Sequence, residues 1–204
     1  MSPPRAAPAP LPAGLVFQEE LLTPGEEREV VAELERTEFG AVVMHGQAAR
    51  RTVRHYGLGY AYESRVLTPT DPLPGELEPM RRRVAELAGV EPDALAQTLV
   101  TRYPPGATIG WHRDAPPFGV VAGVSLLAPA RMRFQRGAGQ ERVVAELLLP
   151  PRSAYVLAGE ARTAWQHSIP AVRELRYSVT FRTLRNPQRW LGDGARSAAN
   201  PPDG

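Results

Sequence analysis

The sequence predicts an α+β fold that is mainly β, with helices first and an antiparallel jelly roll after them. Three observations carry this. Apolar residues recur at helical spacing in two stretches before residue 90. From residue 96 onward, β-rich runs follow one another, with turn residues every 8 to 15 positions. The last of these runs, "LRYSVTFRTL", alternates apolar side chains with charges and hydroxyls.

A chain of 204 residues suits one domain with a substantial core, and 43% apolar residues exclude a disordered chain. Cysteine is absent, which excludes disulfides, thiolate metal sites and a cysteine nucleophile. No apolar run approaches the roughly 20 residues that cross a bilayer. The stretch "MSPPRAAPAPLPAG" has one arginine and no apolar centre, so it does not read as a signal peptide. These features predict a soluble, cytoplasmic monomer without membrane contact. All 24 basic residues are arginine, but the net charge is only +2. That permits a nucleic-acid partner without arguing for one.

Residues 1–13 are rich in proline and alanine and read as a disordered tail, as does the stretch from residue 186 to 204. Between them lies one domain, with helices and some strands over 14–95 and a jelly-roll core over 96–185. "LLTPGEEREVVAELERTEF" predicts the first helix. Thr23 is its N-cap, Pro24 opens its first turn and Glu26 completes a capping box. Val30, Val31 and Leu34 form its apolar stripe. A second helix is expected over 75–88, from Leu77, Met80, Val84 and Leu87. A short third helix is expected at "EPDAL". The strands expected next are "QTLVTRY", "GVVAGVSLL", "RMRFQR", "RVVAELLL", "SAYVLAG" and "LRYSVTFRTL".

The stretch "YPPGATIGWHRDAPPF" holds one of only four histidines, with an aspartate two positions on. In extended chain, residues i and i+2 face one side, so His112 and Asp114 converge while Trp111 and Arg113 face away. An imidazole and a carboxylate make two-thirds of a 2-His-1-carboxylate metal site. His167, 53 residues downstream, is the candidate third ligand. The bland alternative is a turn in which Asp114 caps a backbone N–H and His112 packs.

In "LRYSVTFR", alternation sets Tyr177, Val179 and Phe181 on one face, and Arg176, Ser178, Thr180 and Arg182 on the other. The ordinary reading is a half-buried strand with its polar face in water. A polar face turned into a barrel lumen would instead suit a small dicarboxylate. Thr101 and Tyr103 in "TRYPPG" share a face and could complete such a pocket.

Together these residues resemble the AlkB family of Fe(II)- and 2-oxoglutarate-dependent dioxygenases. The family pattern has Asn-x-Tyr, Pro-Gly, His-x-Asp, a distant His and Arg-x-(Asn/Ser)-x-Thr-x-Arg. It is matched by "TRYPPGATIGWHRD", His167 and "RYSVTFR". The resemblance implies a double-stranded β-helix, with residues 14–95 carrying a nucleotide-recognition lid. It implies Fe(II) on His112, Asp114 and His167, and 2-oxoglutarate on Arg176, helped by Tyr103, Thr101 and Ser178. Arg182 would lie near the other end of the cosubstrate or the target base. With dioxygen, the implied reaction is oxidative demethylation of N-alkylated bases in single- or double-stranded DNA or RNA, as in DNA repair. Formaldehyde and succinate would be released. "MHGQAARRTVRHYGLGYAYES" resembles the recognition segment, which implies substrate contacts from Arg51, Tyr56, Tyr60 and Tyr62. His45 and His55 read as surface or packing histidines. Two departures stand out. Thr101 replaces the family's usual asparagine, and Pro116 stands where some nucleic-acid-repairing members carry an acid. They leave open the same chemistry on a protein side chain or a small molecule.

Overall fold

The computed structural model describes residues 9–44, 46–61 and 66–188. The first helix, α1 (Pro24–Arg36), begins where the capping box requires. Thr23 Oγ1 accepts from the Glu26 N–H at 3.2 Å, and the Glu26 carboxylate accepts from the Thr23 N–H at 2.8 Å. Two otherwise orphaned donors are thereby satisfied. The apolar stripe Val30, Val31 and Leu34 is buried. The second helix, α2 (Glu78–Ala88), follows a single 3-10 turn at Gly75–Leu77. It ends at Gly89, whose φ of 65° is a left-handed cap suited to glycine. "EPDAL" is a correction. It forms only a 3-10 turn, Pro92–Ala94, because three residues between Glu91 and Leu95 cannot complete an α-helical turn. Among the described residues, no helix is long and apolar enough to cross a membrane.

Thirteen strands form three antiparallel sheets among the described residues. The first half contributes β1 (Leu15–Gln18), β2 (Gly40–Met44), β3 (Gln47–Tyr56), β4 (Leu58–Ala61) and β5 (Val66–Pro69). The six expected runs become β6 (Gln97–Tyr103), β8 (Phe118–Leu126), β9 (Ala130–Arg136), β10 (Val143–Leu149), β11 (Ala154–Leu157) and β13 (Arg176–Leu184). Two short strands join them, β7 (Ile109–His112) and β12 (Gln166–Ile169), with the five-residue helix α3 (Gly159–Thr163) between β11 and β12.

The large sheet has seven strands in the order β1-β11-β8-β13-β6-β3-β2, with β13 in the middle. The small sheet has four, β10-β9-β12-β7. Helices α1 and α2 cover one face of the large sheet, packing with Val100, Val124, Val156, Tyr177, Val179 and Phe181. The other face meets the small sheet over a second core that includes Val121, Leu157, Phe134, Leu149 and Ile169. This layering is consistent with a jelly roll. The division at residue 95 needs correcting, because β1, β2 and β3 all belong to the large sheet. Only β4 and β5 stand apart as a two-stranded ribbon. The stretch expected to be a loose tail up to residue 13 is tied down at its end, where the Ala13 carbonyl accepts from the Ala161 N–H at 2.9 Å.

Thr23→Ala removes one side of the capping box. It should lower the unfolding free energy by about 1 kcal/mol, read as a lower denaturant midpoint with an unchanged slope.

Candidate functional site

Strand register brings the two histidines together. His112 on β7 and His167 on β12 are direct cross-strand partners, so both side chains leave the same face of the small sheet. Their ring centroids are 4.2 Å apart. Asp114 follows β7 directly, and its Oδ2 lies 3.6 Å from His167 Nε2. Two separate pieces of chain thus set two imidazoles and a carboxylate around one point.

Each donor is oriented by a partner. His112 Nδ1 lies 2.9 Å from the Gly110 carbonyl. A carbonyl only accepts, so Nδ1 carries the proton and Nε2 is the bare nitrogen. Burial pulls the His167 imidazole down to about 3, and Asp114 only partly offsets this. His167 is therefore neutral at physiological pH, the form that binds a metal. Burial opposes ionisation of Asp114. Arg182, then His167 and His112, outweigh it and hold the carboxyl well below the usual carboxylate range. Arg182 donates to Asp114 Oδ1 twice, from Nε at 3.0 Å and Nη2 at 2.7 Å. The other oxygen, Oδ2, is buried and has no hydrogen-bond partner.

An unpartnered buried carboxylate oxygen is costly unless a cation meets it. Oδ2 and the two imidazoles are the donor set of a 2-His-1-carboxylate site, which suits non-haem Fe(II). Two donors at about 2.1 Å from one metal, at a right angle, stand about 3.0 Å apart. The 3.6 Å observed is wider. Among the described residues, no three acidic or imidazole groups stand at full coordination spacing.

The cavity beside the triad runs onto β13. Arg176, Ser178, Thr180 and Arg182 all line it, while Tyr177, Val179 and Phe181 pack under the helices. The alternation expected of this strand is the one observed. Arg176 is only 1% exposed, and its guanidinium lies 5.1 Å over the Tyr103 ring. Its Nε donates to Ser125 Oγ at 3.0 Å, whereas its Nη1 is buried without a partner. The titratable groups beside it among the described residues are phenols, Tyr103 and Tyr155, rather than carboxylates. Thr101 and Tyr103 line the same cavity, opposite Ser178 and Arg176 in the register. A separate groove of about 580 Å³ lies outside the small sheet, near Arg131, Glu146 and Leu148, and none of these groups lines it.

The remaining expected residues fall differently. Arg182 faces the cavity, but its N–H groups are engaged by Asp114 and by Gln97 Oε1, the latter at 2.7 Å. Those bonds hold the Asp114 carboxylate in place. Tyr56 needs correction. It is buried in the helix-side core, on the face of the sheet away from the cavity, with Arg54 over its ring. Tyr60 on β4 is half-buried and meets Phe118 edge-on, with centroids 6.1 Å apart. Arg51 on β3 is close enough to act on the Tyr103 phenol. His55 pairs across with Leu99, a cavity residue, and its Nδ1 is buried without a partner. His45 and Tyr62 lie outside the described residues.

Four contributors were not expected. Ser125, Gln97, Tyr155 and Arg162 are all buried, polar and inside or beside the site. Arg162 on α3 donates to four carbonyls, those of Asp114 and Ala115 in the loop after His112 and those of Phe118 and Gly119 at the start of β8. It fixes the loop that carries Asp114. The Tyr155 ring crosses the cavity face of Gly123, where any Cβ would lie 2.5 Å from it. Burial, then Asp114, pushes the Tyr155 phenol up to about 12.

Two antiparallel sheets enclosing such a donor set are the architecture of a metal-dependent oxygenase. Residues 18–185 match the model of the 2OG-Fe(II) oxygenase superfamily, and the chain belongs to that superfamily. The family's cofactors are Fe(II), 2-oxoglutarate and dioxygen. The chain is 30% identical over 168 residues to mouse tRNA (carboxymethyluridine(34)-5-O)-methyltransferase ALKBH8, a match covering 78% of this chain and 24% of that protein. It therefore spans about a quarter of that relative's length. It is 27% identical over 209 residues to the Arabidopsis thaliana alkylated DNA repair protein ALKBH8 homolog, covering 85% of this chain and 59% of that one. Among solved structures, OsALKBH1 matches with a TM-score of 0.63 at 14% identity, over 86% of this chain and all of that one. A Pseudomonas putida prolyl-4-hydroxylase matches at 0.59 and 16%, over 85% and 93%. These structural likenesses concern the fold alone.

Gly123→Ala should cost roughly 1–3 kcal/mol by forcing the Tyr155 ring aside. Thermal melts should show that Gly123→Ala combined with Tyr155→Ala costs less than the sum of the single changes.

Proposed function

We propose that this chain oxidatively demethylates N-alkylated nucleic-acid bases, holding Fe(II) on His112, Asp114 and His167 and 2-oxoglutarate on Arg176. One observation carries the reading. A carboxylate oxygen without a partner, beside two imidazoles, shares a cavity with a buried guanidinium that has no carboxylate partner among the described residues.

When bound, the metal and cosubstrate supply the oxidising chemistry, with 2-oxoglutarate ending as succinate and carbon dioxide. The chain's own residues bind and orient. Gly110 aims His112 Nε2, and burial keeps His167 neutral. Arg182 occupies Asp114 Oδ1 and so leaves Oδ2 as the ligand atom. Arg176 meets the distal carboxylate of the cosubstrate, with Tyr103, Thr101 and Ser178 beside it. Thr101 carries a hydroxyl where the family's asparagine would offer an amide, so it forms a shorter hydrogen-bonding arm.

The substrate class rests on the AlkB-like relatives, whose names specify tRNA and alkylated DNA. It rests also on Arg51, near the Tyr103 phenol of the cavity, and on Tyr60, edge-on to the Phe118 ring beneath Arg182. A ring edge and a guanidinium suit a base and its phosphate. The cavity is narrow, so a base in a duplex would have to be flipped out to reach it. Oxidation of an N-methyl group then releases it as formaldehyde.

The test is an anaerobic titration with Fe(II) and 2-oxoglutarate, followed by oxygen and a panel of methylated oligonucleotides. Succinate and formaldehyde should appear together. Succinate without formaldehyde on every oligonucleotide would overturn the nucleic-acid assignment and favour a protein or small-molecule substrate. His112→Ala and Asp114→Ala should abolish succinate formation. Arg176→Ala should raise the 2-oxoglutarate KM roughly 10- to 100-fold, the worth of a lost charge-assisted pair. An unchanged KM would remove Arg176 from the cosubstrate site.

A further inference from the structure

We propose that Gln97 is a positioning residue that couples the β4–β5 ribbon to the Asp114 carboxylate. The inference rests on the reading of Asp114 as a metal ligand.

Gln97 opens β6 and is 1% exposed, so both ends of its amide must find partners inside the protein. Its Oε1 accepts from Arg182 Nη1 at 2.7 Å, and its Nε2 donates to the Leu58 carbonyl of β4 at 2.8 Å. Arginine only donates and a carbonyl only accepts. Bridging them takes a side chain that does both, at glutamine's length. A carboxylate would hold Arg182 but repel the carbonyl, and an aliphatic side chain would satisfy neither. Arg182 then passes the connection to Asp114 Oδ1 through Nε and Nη2. The line from Leu58 to Asp114 runs through three side chains from residues no more than 7% exposed.

Two further contacts remove slack from this line. The Tyr60 ring meets Phe118 edge-on, and Phe118 lies 5.2 Å beneath the Arg182 guanidinium. Residues 58 and 60 of the ribbon therefore both lead to Arg182. Just before β4, Gly57 has φ of 74°, and a Cβ there would lie 2.5 Å from the Ala96 carbonyl. Only glycine allows this approach, which docks the start of β4 against the residue preceding Gln97.

A ligand on Asp114 Oδ2 restrains the carboxylate, the carboxylate restrains Arg182, and Gln97 carries the restraint to the ribbon bearing Tyr60. Coupling of this kind is reciprocal, so ordering the ribbon around a substrate also steadies Asp114.

Hydrogen–deuterium exchange of the full chain, with and without Mn(II) as a redox-quiet stand-in for Fe(II), tests this. In the wild type, Mn(II) should slow exchange severalfold at residues 110–114 and 166–168, and also at 57–61. Gln97→Leu breaks both bonds, and Gln97→Glu breaks only the one to Leu58. In both variants the slowing should remain around the ligands and shrink severalfold at 57–61, where only the Tyr60–Phe118 contact still leads to Arg182, a split that general loss of structure would not produce. Undiminished slowing at 57–61 in either folded variant overturns the relay. So does a wild type that responds only around its ligands. If Mn(II) slows exchange nowhere in the wild type, the metal reading itself falls, and the inference with it.

Discussion

Burying two guanidinium groups in the central strand of a sheet is the constraint on which the rest of the structure depends. Arg176 and Arg182 sit six residues apart on β13, both facing the cavity and both nearly inaccessible. They cannot swing out to water, because Tyr177, Val179 and Phe181 anchor the opposite face under the helices. An isolated buried charge costs several kcal/mol, so each guanidinium needs its own answer. Arg182 has one within the chain, the Asp114 carboxylate and the Gln97 amide. Among the described residues, Arg176 has the Tyr103 phenol, whose ring lies beneath it, and a serine hydroxyl, but no carboxylate. The cavity therefore keeps a positive end at Arg176 and an unpartnered carboxylate oxygen at Asp114. An anion at one end and a cation at the other would satisfy both.

What could be read from the sequence was local. The capping box spans four residues, and the alternation in "RYSVTFR" spans seven. Both depend on backbone periods that act before any tertiary contact forms. Tyr56 was misplaced because the resemblance treats residues 44–64 as one recognition segment, with Tyr56 and Tyr60 on the same side. Gly57, with its left-handed φ, interrupts that segment and resets which face the next residue takes. Arg182 was legible as a cavity residue but not as the partner of Asp114, which lies 68 positions away. Arg162 and Gln97 were invisible for the same reason, since cross-strand register and loop path choose their partners. Ser125 did leave a trace, as a lone hydroxyl within the apolar run "GVVAGVSLL". A polar residue there has to meet something polar.

The Pro-Pro-Gly turn ahead of the His-x-Asp pair has its explanation in register. β7 and β12 are four residues each, too short to fix their own alignment by side-chain pattern. Gly106, with φ of 80°, donates its N–H to the Val172 carbonyl at 2.8 Å. Ala107 accepts from the Val172 N–H at 3.0 Å, and the Thr108 hydroxyl donates to the Ile169 carbonyl at 2.9 Å. These bonds pin one end of the pair, and a bulge between His167 and Ile169 adjusts the remainder so that His167 falls opposite His112. A slip of one residue would set Trp111 against His167. It would also carry the His112 imidazole to the outer face, where Trp111 now lies beside Arg133 and Arg142. The two imidazoles can share a point only while the turn holds. The turn is therefore as much a part of the site as the side chains that line it.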